Sequence, residues 1–318
     1  MFNRKLILAV VMSLVLVMSL TACSGKGKGE QVTSNPPEQQ EEMVINHDLG
    51  TAIINKNPKS VVVFDYATLD TLDVMGIEIT ALPKSNIPAY LEKYKDDKYA
   101  DVGTLFEPNY EKIFELKPDV ILISARQAQV YEELQKIAPT VYLTTSTNDY
   151  IGSVNNNIKL LGEIFGKEAF ADEKIKGITE GVKEVNTKAS SSGKNALVVM
   201  VNEGNLSAYG VGSRFGVIHN EFAFVPADPG IEVSNHGQAI TFEYLVEKNP
   251  DYIFVIDRGA SVGGSSSAQQ VLDNDLVKMT NAYKDNQIVY LSSQIWYVSS
   301  GGLKGTGIMI DEMMEALK

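Results

Sequence analysis

Apolar residues in this chain fall into short continuous runs and longer interrupted ones, and their alternation predicts a layered α/β fold. Val61 to Asp65 reads as a buried strand entering a helix over Ala67 to Met75, and Asn195 to Val201 reads as another strand that opens a second half. Between the halves, residues 149–190 form a long helical stretch with few breakers apart from Gly152, Gly162, Gly166 and Gly177. Each half also carries one copy of a repeat, EKIFELKPDVILISAR at 111–126 and EYLVEKNPDYIFVIDR at 243–258. Glu, Glu, Pro, Asp, Ile and Arg fall at the same offsets in both copies, and an aromatic, Tyr110 or Phe242, precedes each. Helix–strand junctions are common units, but identities in one fixed frame outweigh chance. Each copy predicts a short helix, a Pro-Asp turn and a strand buried on both faces, as in parallel sheets. Two α/β lobes joined by a helix is the architecture expected.

The first 43 residues follow another pattern. Arg4 and Lys5 precede an apolar run, Leu6 to Leu20, which is shorter than the ~20 residues a spanning helix needs. It ends in small residues, so residues 1–22 read as a secretory leader. Leu20-Thr21-Ala22-Cys23 resembles the lipobox of bacterial lipoproteins, which implies cleavage before Cys23 and lipidation of it. An uncleaved anchor with a spare thiol is the alternative. Cys23 is the sole cysteine, so one chain can form neither a disulfide nor a cysteine-ligated metal site. Residues 23–43, rich in Gly, Ser, Pro, Gln and Glu, read as a flexible tether. The rest divides into a lobe over 44–165, a connecting helix over 166–193 and a second lobe over 194–318.

Charge narrows the partner. Formal net charge is −12, and −14 without the leader, which argues against nucleic acid. Beyond residue 22 the chain uses 23 lysines and only three arginines, Arg126, Arg214 and Arg258. Arg126 and Arg258 stand at equivalent offsets just past predicted strand ends, where open α/β sheets place ligands. Arg214 lies in a glycine-rich loop, Tyr209 to Gly216. Arginine differs from lysine by its planar fork and its ability to lie on aromatic faces. Three separate structural ion pairs would also use arginine. Repeat symmetry favours a shared cleft for a compact anion, with phosphate, carboxylate and catecholate complexes all qualifying.

His236, in Ser234-Asn235-His236-Gly237-Gln238, lies in a loop of small polar residues that presents its side chain, while His47 and His219 read as incidental. Tyr297 follows the only tryptophan and precedes Ser299-Ser300-Gly301-Gly302, so packing under a glycine loop is its plain role. Fe(III) is a hard cation that favours anionic oxygen donors, phenolate among them. The chain has no P-loop, HExxH, Cys/His cluster or GxSxG elbow. A hydrolase or lyase would need Ser213 or Ser234 to work with His236, and no third member is apparent.

From about Val61 to the C-terminus the chain resembles the siderophore-binding lipoproteins of bacterial ABC importers, in their petrobactin and catecholate branch. The likeness rests on VVVFDYATLDTLD at 61–73, KYADVGTLFEPNYEKI at 98–113, KPDVILISARQ at 117–127, SRFGVIHNEF at 213–222, HGQAITFEYL at 236–245, NPDYIFVIDRGA at 249–260 and WYVSSGGL at 296–303. The resemblance implies the class III periplasmic-binding-protein fold, two Rossmann-like lobes bridged by a single long helix, with the ligand between them. It implies that Arg126, Arg214 and Arg258 neutralise an anionic ferric siderophore, and that His236 and Tyr297 complete the iron shell when the siderophore supplies too few donors. Glu111 and Glu243 would dock onto the permease, with Glu107 a local rival. The protein would be a monomer on the extracytoplasmic face, anchored to the membrane through Cys23, with no intrinsic cofactor and no enzymatic activity. The same fold with haem or a hydroxamate siderophore as cargo is the alternative.

Overall fold

The computed structural model describes residues 41–318 apart from Asn235, Ser265 and Ser266. The leader, Cys23 and most of the expected tether lie outside the described residues. Two sheets dominate. The first contains β3 (Val61–Val63), β4 (Ala81–Leu82), β5 (Ala100–Asp101), β6 (Val120–Ile123) and β7 (Thr140–Tyr142), all parallel, in the order β5-β4-β3-β6-β7. Before it stands a hairpin, β1 (Glu42–His47) and β2 (Gly50–Asn55), which takes in the last two residues of the segment predicted as tether. In the second sheet β8 (Asn195–Asn202), β12 (Tyr252–Asp257) and β13 (Ile288–Tyr290) run parallel. The strand β9 (Asn205–Tyr209) returns antiparallel to β8, and β11 (Gln238–Ile240) lines its far edge. A short β10 (Val225–Pro226) joins the start of β8.

Period-two burial explains the continuous apolar runs. In β8, Ala196, Val198 and Met200 face a core shared with the long helices, whereas Leu197, Val199 and Val201 face an outer core. In β6, Val120 and Leu122 join the shared core, and Ile121 and Ile123 join the outer core of the first lobe. Both faces of each sheet are therefore covered, and a polar residue would be costly at any of these positions.

The two repeat copies fold alike in detail. The helices Tyr110–Leu116 and Phe242–Lys248 are capped by Asn109 and Thr241, whose side chains accept the N–H of Lys112 and Tyr244. Both end on left-handed residues at the same offset, Lys117 (φ 48°) and Asn249 (φ 39°). The aspartate of each Pro-Asp turn accepts backbone N–H groups at the start of the neighbouring central strand. Asp119 takes those of Lys59 and Ser60 at 2.7 and 2.8 Å, and Asp251 that of Asn195 at 3.0 Å. The repeat is thus a device for aligning β6 with β3 and β12 with β8.

The helical stretch predicted over 149–190 is two helices, Tyr150–Ile164 and Glu168–Ser192, broken at residues 165–167 and packed on each other. At 1.5 Å per residue the 25-residue second helix is about 37 Å long, and it leads directly into β8 of the second sheet. The C-terminal helix Leu303–Ala316, assigned by sequence to the second lobe, packs instead on Glu168–Ser192 and on Tyr66–Met75 of the first lobe. Its N-terminus explains why. Asp70, fully buried, accepts the N–H of Lys304 at 3.0 Å and of Gly305 at 2.8 Å, and Thr71 accepts that of Leu303 at 3.1 Å. Orphan first-turn donors of one helix are thereby satisfied by side chains of another.

Burial pushes the Asp70 carboxyl up to about 6, against the hydrogen bonds from Gly305 and Lys304, which favour the ion. The folded state then holds this proton more tightly than the unfolded chain, whose carboxyl titrates near ~3.9. The group's contribution to stability therefore falls as pH rises from about 4 to about 6. Asp70→Asn keeps one acceptor oxygen, sets an NH2 against the other N–H at a cost that does not vary with pH, and cannot ionise. In denaturant unfolding between about pH 3 and about pH 7, its stability relative to the parent should climb by about 3 kcal/mol, the equivalent of that rise. Parallel curves for the two proteins would refute it.

Candidate functional site

The carboxyl ends of the central strands of both sheets open onto one cleft. In the first lobe the switch between β3 and β6 leaves Asp65 and Ser124 side by side, and the Ser124 hydroxyl donates to Asp65 Oδ1 at 3.0 Å. Asp65 also caps the helix Tyr66–Met75 through Oδ2, which accepts the N–H and the hydroxyl of Thr68 at 2.8 and 2.9 Å. The second lobe pairs its equivalent strand ends differently, with Arg258 Nη1 donating to Asn202 Oδ1 at 2.9 Å. Ser124 and Asp257 cap the turns after β6 and β12, and Arg126 and Arg258 stand two residues and one residue past these caps.

All three arginines converge on Tyr297. Arg214 Nη2 donates to the Tyr297 carbonyl oxygen at 2.8 Å, and Arg126 Nη2 reaches the same oxygen at 3.4 Å from the other lobe. Arg258 Nε donates to the Tyr297 phenol oxygen at 2.9 Å. The Arg214 guanidinium lies 4.6 Å from the centre of the Tyr297 ring and 4.9 Å from that of Phe215; Arg258 lies 5.7 Å from the former. Tyr297 belongs to a π-helical turn, Gln294–Val298, of the kind often found at functional sites. Gly301 follows at φ 103°, where an added Cβ would fall 2.8 Å from Thr145 of the first lobe, so glycine is required twice over.

Among the described residues none of these arginines forms a salt bridge. Their partners are a peptide carbonyl, an amide, a phenol and aromatic faces, all neutral acceptors. Burial lowers the Arg214 pKa, and repulsion from Arg126 adds to that effect. Among the described residues Asp65 is the one carboxylate lining the cleft, and both its oxygens are taken by Thr68 and Ser124. Such a centre carries uncompensated positive charge and suits an anion with flat rings or forked oxygens.

The cleft has a volume of about 510 Å³, within the range of small-molecule sites. Its walls are rich in hydroxyls: Thr68, Ser124, Thr144 to Thr147, Ser213 and Ser300 all contribute. Tyr150 and Ser300 share a hydrogen bond of 2.6 Å across it. Sequence reasoning singled out neither this rim nor Asn202. The run Thr144-Thr145-Ser146-Thr147, just past β7, was the available signal for the rim.

The lining reaches Val233 and Ser234 and stops short of His236, which is exposed in a turn closed by a Ser234–Gly237 hydrogen bond of 2.9 Å. Arg126, Arg214 and Tyr297 line the cleft; Arg258 is not part of the lining and joins them through its hydrogen bond to the Tyr297 phenol, and His236 stands apart at the edge. Among the described residues no group of three or more His, Cys, Asp or Glu is arranged to hold a metal. Glu111 and Glu243 are both exposed on the first turns of the two repeat helices, and Glu107 is exposed in the loop before the first. No helix among the described residues is long and apolar enough to cross a membrane.

A family model described as periplasmic binding protein matches residues 61–295. Petrobactin-binding protein YclQ of Bacillus subtilis is 44% identical over 313 residues, covering 96% of this chain and 97% of its own. Its crystal structure matches with a TM-score of 0.85 and 46% identity, over 88% of this chain and 99% of that one. Ferric-anguibactin-binding protein FatB of Vibrio anguillarum is 34% identical, covering 99% of both chains. The structure of the periplasmic catecholate-siderophore binding protein VctP of Vibrio cholerae matches with a TM-score of 0.83 and 37% identity, over 86% of this chain and 100% of that one. The class III fold expected from the sequence is the fold observed.

Arg126 and Arg258 differ in structural duty, and stability measures the difference. Arg126→Gln gives up one long hydrogen bond and should change unfolding free energy by no more than about 0.5 kcal/mol. Arg258→Gln gives up bonds to Tyr297 and Asn202 and should cost about 1–2 kcal/mol. Equal losses in urea titrations would assign Arg126 a structural role and take it out of the ligand centre.

Proposed function

Because the chain belongs to the periplasmic binding protein family, we propose that it binds a ferric catecholate-type siderophore outside the cytoplasm and delivers it to an ABC importer for iron uptake. The observation that carries this is the meeting of three arginines, none with a carboxylate partner, on one tyrosine in a cleft between two lobes. A ferric catecholate offers what that centre lacks, namely negative charge spread over flat rings. The chemistry is capture and release of a preformed complex; the iron complex is cargo, and catalysis is not part of the role.

In this reading the guanidiniums of Arg126, Arg214 and Arg258 leave their neutral acceptors and turn to the ligand, which exchanges bonds to neutral oxygens for stronger ones to anionic oxygens. Hydroxyls of the 144–147 rim contact the ligand's polar edge. Tyr297 and His236 complete the iron shell where a petrobactin-like or tetradentate siderophore leaves positions open. Tyr297 already lies in the cleft, whereas ligation by His236 asks its turn to move inward past Ser234. The Glu111 and Glu243 pair docks onto the permease, and Cys23 carries the lipid that keeps the protein, as a monomer, at the outer face of the cell membrane.

Trp296 provides a direct readout. It is buried, its indole N–H donates to Glu312 Oε2 at 2.6 Å, and it is the immediate neighbour of Tyr297. Ferric petrobactin and a ferric bis-catecholate should quench its fluorescence with affinities in the nanomolar range, about 12 kcal/mol of binding. Arg214→Lys keeps the charge but loses the fork and the ring stacking, and should weaken both ligands at least about tenfold. Tyr297→Phe should weaken them and shift the charge-transfer band of the bound complex. Tighter binding of a hydroxamate or of haem would keep the importer role and overturn the cargo.

A further inference from the structure

The two repeat helices share an acidic stripe but differ in what lies beside it. Glu111 and Glu115 of the first correspond to Glu243 and Glu247 of the second. On the first, Tyr110 and Phe114 stand one turn apart next to that stripe, 37% and 67% exposed, and Phe106 in the preceding loop is 72% exposed. Their counterparts in the second lobe are Phe242, which packs against the outer core of its own sheet, Val246, half-buried, and Gln238. Ile113 supplies the buried face of the first helix, so the aromatic residues are surplus to its packing.

The loop that displays Phe106 is built rather than slack. Thr104 Oγ1 accepts the N–H groups of Phe106 and Glu107 at 3.2 and 2.9 Å, and Thr104 N–H donates to Glu107 O at 3.1 Å. Gly103, at φ 104°, lets the Glu107 carbonyl approach to 2.4 Å from where a Cβ would stand. A turn closed in this way holds a large apolar ring in water instead of letting it fold back onto the lobe. Exposed aromatics held beside charges are the composition of an interaction surface.

We propose that Phe106, Tyr110 and Phe114 form an aromatic anchor for the importer's permease, entering an apolar recess whose rim is basic. This rests on the importer role proposed above and adds an apolar contact to the docking proposed for Glu111 and Glu243. The acidic stripe, common to both lobes, answers basic residues on the partner, while the aromatic anchor, present on the first lobe alone, gives docking a direction. Charge selects the partner: Glu107, Glu111 and Glu115 flank the rings, and an anionic lipid surface or a second acidic copy of this chain would be repelled. Around the helix the order is aromatic stripe, acidic stripe, Lys112 and then the buried face, so the one lysine lies away from the rings.

The test uses the full-length chain in cells that lack their own copy, with radio-iron petrobactin as the transported probe. Phe106→Ser with Phe114→Ser, both exposed positions, should lower uptake about tenfold or more while Trp296 quenching gives an affinity within about twofold of the parent. A photo-crosslinking residue at position 106 should join the chain to the permease. Normal uptake by the phenylalanine pair, with uptake abolished in Glu111→Gln with Glu243→Gln, would overturn the anchor and leave glutamate docking in place. The converse result would uphold the anchor and remove the glutamates. Loss of siderophore affinity in the phenylalanine pair, or crosslinks to lipid or to a second copy of the chain, would overturn the proposal.

Discussion

Three guanidiniums gathered around one tyrosine, with no salt bridge to any described residue, are the constraint to which the rest of the molecule answers. An unpaired charge held out of water is expensive, and like charges together are more so. The chain meets the cost with neutral acceptors of the right shape. A peptide carbonyl serves two arginines, a phenol serves the third, and two aromatic faces flank Arg214. Each is a weaker partner than a carboxylate, and for that reason each can be given up. A salt bridge in the same place would bind the arginines to the protein and close the site to an anion.

Holding that arrangement requires the two lobes to keep their relation, and the chain ties them where it matters. The π-helical turn with Tyr297 lies between the last strand of the second sheet and the helix Leu303–Ala316, which docks on the first lobe through Asp70 and Thr71. Tyr90 of the first lobe donates to Asp70 at 3.1 Å and lies 2.9 Å from the hydroxyl of Ser299, two residues past Tyr297. The residue that all three arginines contact is therefore linked to both lobes within a few residues. Small changes in lobe spacing act on Tyr297 directly, and the guanidiniums of opposite lobes feel them through its carbonyl.

Much of this was legible in the sequence, for reasons that differ by element. The repeat could be read because its residues do local work: Asp119 and Asp251 each bond the entry of the adjacent strand, and the residues after the helices turn left-handed at the same offset. The arginines could be read because a lysine-rich chain spends so few of them, and because two occupy repeat-equivalent strand ends. Asp70 could not. Its partners Lys304 and Gly305 are more than two hundred positions away, and nothing local marks a carboxylate that will cap a distant helix. The C-terminal helix crossed to the first lobe for the same reason. His236 shows the opposite limit: its loop read as one that presents a side chain, and the side chain is exposed, but pattern alone could not say that the cleft lining would end at Ser234.

An acidic protein that captures an anionic complex is a contradiction only if net charge is taken as the operative quantity. At physiological ionic strength the Debye length is about 8 Å, so exposed carboxylates farther off than that count for little inside the cleft. Among the described residues its sole carboxylate, Asp65, has both oxygens engaged by Thr68 and Ser124, and the half-buried Arg214 guanidinium acts through a partly desolvated medium where its field is strong. Outside, the repeat glutamates are exposed on helix first turns, where a carboxylate acts only over the short range of a direct contact. Sequestration by distance and burial thus lets one chain carry two opposite electrostatic surfaces. The repeat supplies both at once, because each copy begins with a glutamate on an exposed helix turn and ends with an arginine hydrogen-bonded to Tyr297.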